Sequence, residues 1–475
     1  MKPSLKILAM AAVLFSSCKK ITAVENPPTD RFSNTGLQTI KSKPNIIIIL
    51  LDDIGYEVPA YTGGQSYYTP NIDALAAGGR QFSCFYASAL CSPSRFMLLT
   101  GKYNSRNYTE WGVMDTSQKT IANLLKTQGY KTCASGKWQL AGGDASVKAF
   151  GFDSYMLYDA FNGDDHPDTK YNHLCSQRQF KDPCIYTNNG FMADSEIVGK
   201  YGEDFFRQHL FDFIDSNKTK PFFAYWAINL CHTYFTPTPD NPQFASWDSK
   251  KTGEPADTIY FPSMVKYMDK EIGMLIDKLR SNGIEQNTLI LLMGDNGTSS
   301  QITSMYNGVP FRGNKGNTNN AGTHCPLIAY RPGFVQPGIT DSTLIDFTDF
   351  LPTISEYAHV PVPSYFGPVD GVSFETSLRN RPAYKKQWAY CWFKPKHIRE
   401  DYERVYVNDR NYKLYEGKIG FFNIKKDPGE ARKLTDDKLT PDEKNIRSRF
   451  QFILDSMHTF SNGLHPVFRV GEDDE

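Results

Sequence analysis

The sequence predicts an α/β fold, in which helices cover a large, mostly parallel sheet, followed by a smaller C-terminal α+β subdomain. Apolar runs of strand length recur through the first 375 residues, and segments with helical spacing lie between them. After about residue 375 the chain changes to short, aromatic, strand-like pieces. A chain of 475 residues is long enough to form two domains with a substantial core.

The first strand is predicted at residues 45–51, whose sequence is Asn-Ile-Ile-Ile-Ile-Leu-Leu. A run without polar alternation is typical of a strand that is covered on both faces of a parallel sheet. Further strands are expected at residues 130–135, 221–230, 288–293 and 325–330, and helices at residues 70–77, 121–125, 264–279 and 345–357. This alternation predicts helices on both sides of one sheet.

The N-terminus is predicted to be a targeting segment rather than part of the fold. Basic residues precede the apolar run 7–15, which is too short to span a bilayer and is followed by Ser16-Ser17-Cys18. This arrangement resembles a bacterial lipoprotein signal over residues 1–18, with Cys18 as the lipidated residue; ordinary secretory cleavage is the alternative. The protein is then expected in the periplasm, at the outer membrane or on the cell surface, touching the membrane only through this anchor.

The polar residues 19–41 are predicted to be a tether, residues 42–375 the main α/β domain, and residues 376–475 a subdomain with a small antiparallel sheet and a helix. The chain has 52 basic and 52 acidic residues, so no positive excess points to a nucleic-acid partner.

Polar motifs follow four of the predicted strands. Asp52-Asp53 follows the first strand, Lys137 the strand at 130–135, His232 the strand at 221–230, and Asp295-Asn296 the strand at 288–293. Ligand sites in parallel sheets gather at the carboxyl ends of strands, so these motifs are expected to form one site. Asp52, Asp53, Asp295 and Asn296 offer only oxygen ligands, which suit calcium or magnesium rather than zinc. The alternative for each pair is a turn that closes a strand.

Residues 91–101 read Cys-Ser-Pro-Ser-Arg-Phe-Met-Leu-Leu-Thr-Gly, and they stand in one order along the chain with Asp52-Asp53, Gly136-Lys137-Trp138, His232, Asp295-Asn296-Gly297 and Lys315. This set resembles the formylglycine-dependent sulfatases of the alkaline phosphatase-like superfamily, over the chain from about residue 42. The resemblance implies calcium as the metal and a maturation enzyme that oxidises Cys91 to formylglycine.

The resemblance also implies roles for the site residues. The hydrated aldehyde at position 91 would attack sulfur through one hydroxyl and release sulfate through the other. Arg95 lies four residues later, on the same face of the predicted helix, and would hold the hydrate and the carboxylates. Lys137 and Lys315 would neutralise sulfate oxygens, and His232 with Lys315 would protonate the leaving alcohol.

Two residues depart from the family pattern. Gln139 stands where Gly-Lys-Trp is usually followed by histidine, and glutamine is not a base near neutral pH. His324 stands where arginine is common, as a substrate contact, a substitute base or a structural histidine.

Cys18 and Cys91 thus have expected roles, which leaves seven of the nine cysteines. Cys175 and Cys184 flank a polar loop and are candidates for a disulfide in an oxidising compartment. The sequence contains no C-x-x-C pair, so a structural zinc site is not expected.

The resemblance therefore implies a sulfatase that hydrolyses a sulfate ester on a small molecule or a glycan, with a carbohydrate as the expected substrate. A phosphodiesterase or phosphonate monoester hydrolase of the same superfamily is an alternative, because such enzymes share the nucleophile and the ligand set. A non-catalytic glycan-binding lipoprotein is a second alternative, which Gln139 keeps open.

Overall fold

The computed structural model describes residues 43–110, 112–140, 142–161, 178–248, 258–381, 386–394 and 402–461. The predicted signal peptide with Cys18, the tether and Cys175 lie outside these ranges, so these assignments stay predictions. None of the helices in the described ranges is long and apolar enough to cross a membrane.

The strands are β1 Asn45–Leu51, β2 Arg80–Tyr86, β3 Tyr108–Glu110, β4 Val113–Met114, β5 Lys131–Lys137, β6 Ser154–Tyr158, β7 Tyr186–Thr187, β8 Gly190–Phe191, β9 Phe222–Ile228, β10 Thr288–Gly294, β11 Thr303–Tyr306, β12 Val309–Arg312, β13 Leu327–Tyr330, β14 Ile339–Asp346, β15 Ala389–Phe393, β16 Arg404–Asn408, β17 Lys413–Tyr415 and β18 Phe421–Phe422. The helices are α1 Pro70–Gly78, α2 Cys91–Thr100, α3 Asn104–Asn107, α4 Ile121–Lys126, α5 Gly143–Ala149, α6 Asp194–Ile197, α7 Gly202–Asn217, α8 Phe261–Ser281, α9 Asn320–Thr323, α10 Phe350–Ala358, α11 Glu375–Leu378 and α12 Pro441–Ser461. Short 3₁₀ turns lie at Ala60–Thr62, Thr258–Tyr260, Glu285–Asn287, Phe347–Asp349, Ser364–Phe366 and Asp436–Lys438.

One large mixed sheet organises the molecule, in the order β14-β2-β13-β10-β1-β9-β5-β6-β7-β8. Its centre, from β10 to β6, is parallel, as the sequence predicts. Strand β13 runs antiparallel to both of its neighbours, and β7 and β8 add antiparallel pairs at one edge. The carboxyl ends of the parallel strands share one edge, which brings the polar motifs together.

Strand β1 shows why a continuous apolar run suits this position. Alternate side chains point to opposite faces of a strand. Ile46, Ile48 and Leu50 accordingly belong to one hydrophobic core, and the residues between them belong to the core on the other face. All are fully buried, so the sheet is covered on both faces.

The C-terminal subdomain contains the predicted small sheet, in the order β15-β16-β17-β18 and antiparallel throughout. Helix α12 packs on β16 and β17. A hydrophobic cluster that includes Tyr86, Leu344, Tyr406 and Phe422 joins this sheet to the end of β2 and to β14.

The helix predicted at residues 345–357 begins too early. Ile345 belongs to β14, and the chain becomes α-helical only at Phe350. The side chain of Asp346 accepts a hydrogen bond from the Thr348 backbone N–H and so ends the strand in a capped turn. Apolar spacing continues across this boundary, which explains the error. Cys184 is disulfide-bonded; the predicted partner Cys175 lies outside the described residues.

Candidate active site

The two acidic motifs meet at the carboxyl edge of the sheet. Asp52 and Asp53 follow β1, and Asp295 and Asn296 follow its neighbour β10. All four side chains are fully buried. The backbone N–H of Asp53 donates to Oδ1 of Asp295 at 3.1 Å, and Nδ2 of Asn296 donates to Oδ1 of Asp53 at 2.8 Å. The predicted convergence of these residues is therefore present in the structure.

Helix α2 begins at Cys91 and brings two predicted residues to the carboxylates. Ligand atoms of Cys91, Asp52 and Asp295 lie within 4.8 Å of one another. Arg95, one helical turn later, donates from Nη2 to Oδ2 of Asp295 at 2.8 Å, and both side chains are fully buried. Gly101 ends the helix with φ of 67°, a left-handed conformation that glycine adopts readily.

Three further side chains complete the cluster. Nζ of Lys137 donates to Oδ2 of Asp52 at 2.5 Å, and Nζ of Lys315 lies 2.6 Å from Oδ1 of Asp53. A ring nitrogen of His232 and carboxylate oxygens of Asp52 and Asp53 lie within 4.8 Å of one another, close enough to bind one metal ion. Its Nδ1 donates to the Thr233 carbonyl oxygen at 2.5 Å, which leaves Nε2 as the acceptor.

Gly136 is required for the position of Lys137. Its φ is 98°, and a Cβ atom there would lie 2.0 Å from the carbonyl oxygen of Ala227 on the adjacent strand β9. Only glycine permits this close approach, so the Gly-Lys pair turns the end of β5 toward the acidic residues.

Gln139 contacts position 91 directly. Sγ of Cys91 donates to Oε1 of Gln139 at 2.7 Å, and the Ser92 hydroxyl donates to the Gln139 carbonyl oxygen at 3.2 Å. The Gln139 N–H donates to the carbonyl oxygen of Asp159 at 3.0 Å. Asp53, Gln139 and Asp159 all have positive φ, between 55° and 57°. Left-handed conformations of non-glycine residues are uncommon and concentrate at functional sites.

Charge is balanced within the cluster by three cations and three carboxylates: Arg95, Lys137 and Lys315 against Asp52, Asp53 and Asp295. Burial acts against ionisation of Lys137 and Lys315, but the neighbouring aspartates outweigh burial and raise the pKa of both lysines. Burial, followed by the charges of Lys137 and Lys315, lowers the pKa of His232 to about 4. Both lysines are therefore charged at neutral pH, and His232 is neutral.

The residues fit a hard divalent cation. Oδ1 of Asp52 and Oδ1 of Asn296 are buried and have no hydrogen-bond partner among the described residues. A buried oxygen without a partner is costly, and a cation would satisfy both atoms at once. With the carboxylates of Asp53 and Asp295, this gives an all-oxygen ligand set that favours calcium or magnesium.

His324 has other neighbours. Its ring stacks on Tyr56 at 4.0 Å between centroids and on Tyr86 at 5.3 Å, and its Nε2 donates to the Ser83 carbonyl oxygen at 3.0 Å. Burial lowers its pKa to about 4. The recorded contacts are thus with the aromatic wall beside the site, and a role in contacting substrate stays a prediction.

Sequence reasoning missed Tyr225 and Asp159. The Tyr225 hydroxyl accepts a hydrogen bond from Arg95 at 3.1 Å, but no spacing signal marks a tyrosine inside a buried strand. Burial raises the pKa of Asp159 to about 6, although Lys137 and Arg95 oppose the shift. Asp159 follows β6 at the same sheet edge as the other motifs. A prediction of strand β6 from the sequence would therefore have marked Asp159 as a candidate site residue.

The fold and the site identify the class of protein. Residues 44–360 match the family model described as Sulfatase, and the chain belongs to this family. It is 30% identical over 346 residues to arylsulfatase A of Homo sapiens, with 68% of this chain and 65% of that protein covered. The match therefore spans slightly less than two thirds of that relative's length.

Solved structures share the fold. A protein whose structure was determined with its substrate D-glucosamine-2-N,6-O-disulfate aligns with a TM-score of 0.70 at 20% identity, covering 90% of this chain and 99% of that one. The phosphonate monoester hydrolase of Agrobacterium radiobacter aligns with a TM-score of 0.64 at 18% identity, covering 88% and 96%. At these identities the likeness concerns the fold, an alkaline phosphatase-like sheet.

Proposed function

We propose that the protein hydrolyses sulfate esters, with Cys91 converted to formylglycine by a maturation enzyme and with calcium held by Asp52, Asp53, Asp295 and Asn296. The observation that carries the proposal is the position of Cys91, at the start of a buried helix and within 4.8 Å of two aspartates of the metal site. When present, the hydrated aldehyde supplies a hydroxyl nucleophile, and the cation stabilises negative charge on it and on a sulfate oxygen.

The chain's own residues bind and orient the ester. Arg95 fixes Asp295, and its second amino group donates to the Lys137 carbonyl oxygen at 3.0 Å, so helix α2 and the end of β5 are held together. Lys137 and Lys315 are charged and placed to neutralise the oxygens of a tetrahedral anion as charge develops. Their rigid positions need little reorganisation during the reaction.

Proton transfer falls to a small number of groups. Lys315 is protonated and largely buried, and His232, whose Nε2 is the accepting nitrogen, lies beside the same carboxylates. These two residues are the candidates to hold the proton that the leaving alcohol needs. Gln139 can orient the groups at position 91 through its amide but cannot take a proton from them.

Charge balance favours an ester with a single negative charge. Burial raises the pKa of Asp295 to about 7, but Arg95 and a bound cation favour its ionised form. With Asp295 ionised and Asp159 protonated, the charged side chains sum to zero, so a divalent cation would add a net charge of about +2 to the site. A sulfate monoester contributes one negative charge and an ionised nucleophile a second, which matches this value. A sulfated carbohydrate is the proposed substrate class, and the family relation and the disulfated sugar bound by a protein of the same fold support it.

The experiment compares rates on an aryl sulfate, an aryl phosphodiester and an aryl phosphonate monoester, all with the same leaving group. The proposal expects the aryl sulfate to be hydrolysed with the highest kcat/KM. A preference for either phosphorus ester would establish the alternative that the phosphonate hydrolase fold neighbour represents. Absence of turnover on all three, in protein with a converted Cys91, would favour a binding protein.

The N-terminal segment supports a second part of the proposal. We infer that the mature protein is attached to a bacterial membrane through lipidated Cys18 and reaches its substrate on the periplasmic or outer surface. The support is the sequence of residues 1–18 alone. Metabolic labelling with a palmitate analogue should mark the wild-type protein, and Cys18→Ala should abolish the label.

A further inference from the structure

A cleft of about 600 Å³ lies beside the candidate active site, between the main sheet and the C-terminal subdomain. The lining residues include Tyr56 and Glu57, three and four residues after Asp53, and Arg410 and Lys425 of the subdomain. None of the residues assigned to the metal or the nucleophile lines this cleft. Of the predicted site residues, only His324 lines it, so the cleft adjoins the catalytic centre without containing the metal ligands or the nucleophile.

The first notable feature of the cleft is a buried carboxyl group. The side chain of Glu57 is 3% exposed, and its Oε1 has no hydrogen-bond partner among the described residues. Burial raises its pKa to about 7, so near neutral pH this group both accepts and donates hydrogen bonds. A buried polar atom without a partner is costly, and a hydroxyl group entering the cleft would satisfy it.

The second feature is a pair of cations, Arg410 and Lys425, for which the described part of the chain shows no salt bridge. Burial raises the pKa of the Cys84 thiol in the cleft wall, and Arg410 and Lys425 both oppose this shift, which places the two charges nearby. Two acidic residues near the cleft are paired with other cations: Asp409 with Arg449 at 3.3 Å and Asp341 with Arg80 at 2.8 Å. Arg410 donates only to Ser342, a neutral residue, in the described part of the chain.

The third feature is an aromatic edge. Strands β11 and β12 form a hairpin whose Tyr306 and Phe311 pack edge to face, with ring centroids 5.6 Å apart, and both rings line the cleft. The same hairpin exposes Met305 and Val309. Aromatic rings beside polar groups present an apolar surface suited to the C–H face of a sugar.

The cleft is also connected to the loop that carries Lys315. A second depression of about 490 Å³ shares Phe311 and Pro428 with the cleft and extends to Gly313 and Asn314, directly before Lys315. An extended ligand can therefore follow one surface from this loop to the subdomain.

We propose that this cleft is a second binding site for an anionic saccharide unit, with Arg410 and Lys425 binding its sulfate or carboxylate group and Tyr306 and Phe311 packing against the sugar ring. Guanidinium and ammonium groups recognise such oxygens, and the aromatic rings and Glu57 select a sugar over a simple anion. The site holds part of a polyanionic chain outside the catalytic centre. It extends the proposed function, and its binding can be measured without turnover.

The test is affinity electrophoresis of the full chain in gels that contain dextran sulfate, uncharged dextran or polyphosphate. Arg410→Ser with Lys425→Ser should raise the apparent Kd for dextran sulfate about tenfold, the loss expected for two ion pairs at a solvent-exposed site. A matched control, Lys418→Ser with Arg432→Ser, removes the same charge from exposed positions of the same subdomain and should change the Kd less than about twofold.

Tyr306→Ala tests the sugar contact, because it leaves every charge in place. It should weaken binding of dextran sulfate and leave binding of polyphosphate unchanged. An equal effect of the two charge-removing pairs, or no effect of Tyr306→Ala, would overturn the proposal in favour of a general anionic attraction. All variants should keep wild-type turnover of a small aryl sulfate and a wild-type Tm. If the wild type did not hydrolyse the aryl sulfate, the electrophoresis would still show whether the cleft binds an anionic saccharide.

Discussion

The buried ion pair between Arg95 and Asp295 supports a stability prediction that also reports on the metal site. Arg95→Met keeps most of the side-chain volume but removes every donor of the guanidinium group. Three acceptors then lose a partner: Oδ2 of Asp295 at 2.8 Å, the Lys137 carbonyl oxygen at 3.0 Å and the Tyr225 hydroxyl at 3.1 Å.

Removal of one partner from a fully buried ion pair costs about 3–5 kcal/mol, because the remaining charge is left uncompensated. At the roughly 2 °C per kcal/mol that applies to larger domains, Arg95→Met should lower the Tm by about 6–10 °C in a chelator. Bound calcium places positive charge beside Asp295, so the decrease should be smaller at saturating calcium.

Thermal unfolding followed by circular dichroism, in EDTA and in calcium, measures both values. Arg449→Met is the matched control, since its pair with Asp409 spans 3.3 Å and its side chain is 45% exposed. An exposed pair contributes at most about 1 kcal/mol, so this control should lower the Tm by at most about 2 °C in either buffer. Equal shifts for both variants, or an Arg95→Met shift that calcium does not change, would refute the reasoning.

Four further predictions concern catalysis, metal binding and pH. Cys91→Ala should abolish aryl sulfate hydrolysis and leave calcium affinity, measured by calorimetry, within about threefold of wild type; residual hydrolysis above trace would exclude position 91 as the nucleophile. Asp295→Ala should eliminate calcium binding in the same titration, whereas unchanged affinity would move the metal elsewhere. Gln139→His should raise the steady-state rate more than the initial burst of alcohol, because it restores a group that titrates near neutrality. If the fully converted wild-type protein shows no burst and Gln139→His does not raise the steady-state rate, glutamine belongs to a working site. Burial raises the pKa of Glu203 to about 8, so the stability that its protonated form contributes is fully present below about pH 4.5 and is lost as the pH rises toward 8. Glutamine does not titrate, so the Tm of Glu203→Gln minus that of the wild type should increase between pH 5 and pH 8. A difference in Tm that stays constant with pH would contradict this.

The sequence predicts the sheet centre and most of the site for one physical reason. Strands such as β1 are buried on both faces, so their apolar runs are unbroken and their ends are marked by polar residues. Each of Asp52, Lys137 and Asp295 stands at such an end, and the parallel arrangement brings the ends together.

The features that the sequence does not predict depend on contacts between distant segments. The edge pair β7 and β8 has two residues in each strand, too few for a periodic signal. Asp159 and Tyr225 become part of the site only because β6 and β9 flank β5 on its two sides. The cleft that contains Glu57 requires the subdomain to close over β2, which no local pattern encodes.

The contact between Cys91 and Gln139 gives the departure from the family pattern a physical meaning. Glutamine occupies the position from which histidine would contact residue 91, and it accepts a hydrogen bond there at 2.7 Å. The polar contact is thus retained while the basic group is lost. In the proposed mechanism, attack on sulfur and release of sulfate therefore make different demands on this residue.

The mass of the tryptic peptide 81–95, isolated from active protein after alkylation, tests the central claim most directly. The peptide contains Cys84 and Cys91. Conversion of Cys91 replaces sulfur and two hydrogens with one oxygen, so the residue should be lighter by about 18 Da and only Cys84 should be alkylated. A hydrazide reagent should label the converted peptide. Alkylation of both cysteines in protein that hydrolyses an aryl sulfate would contradict the account.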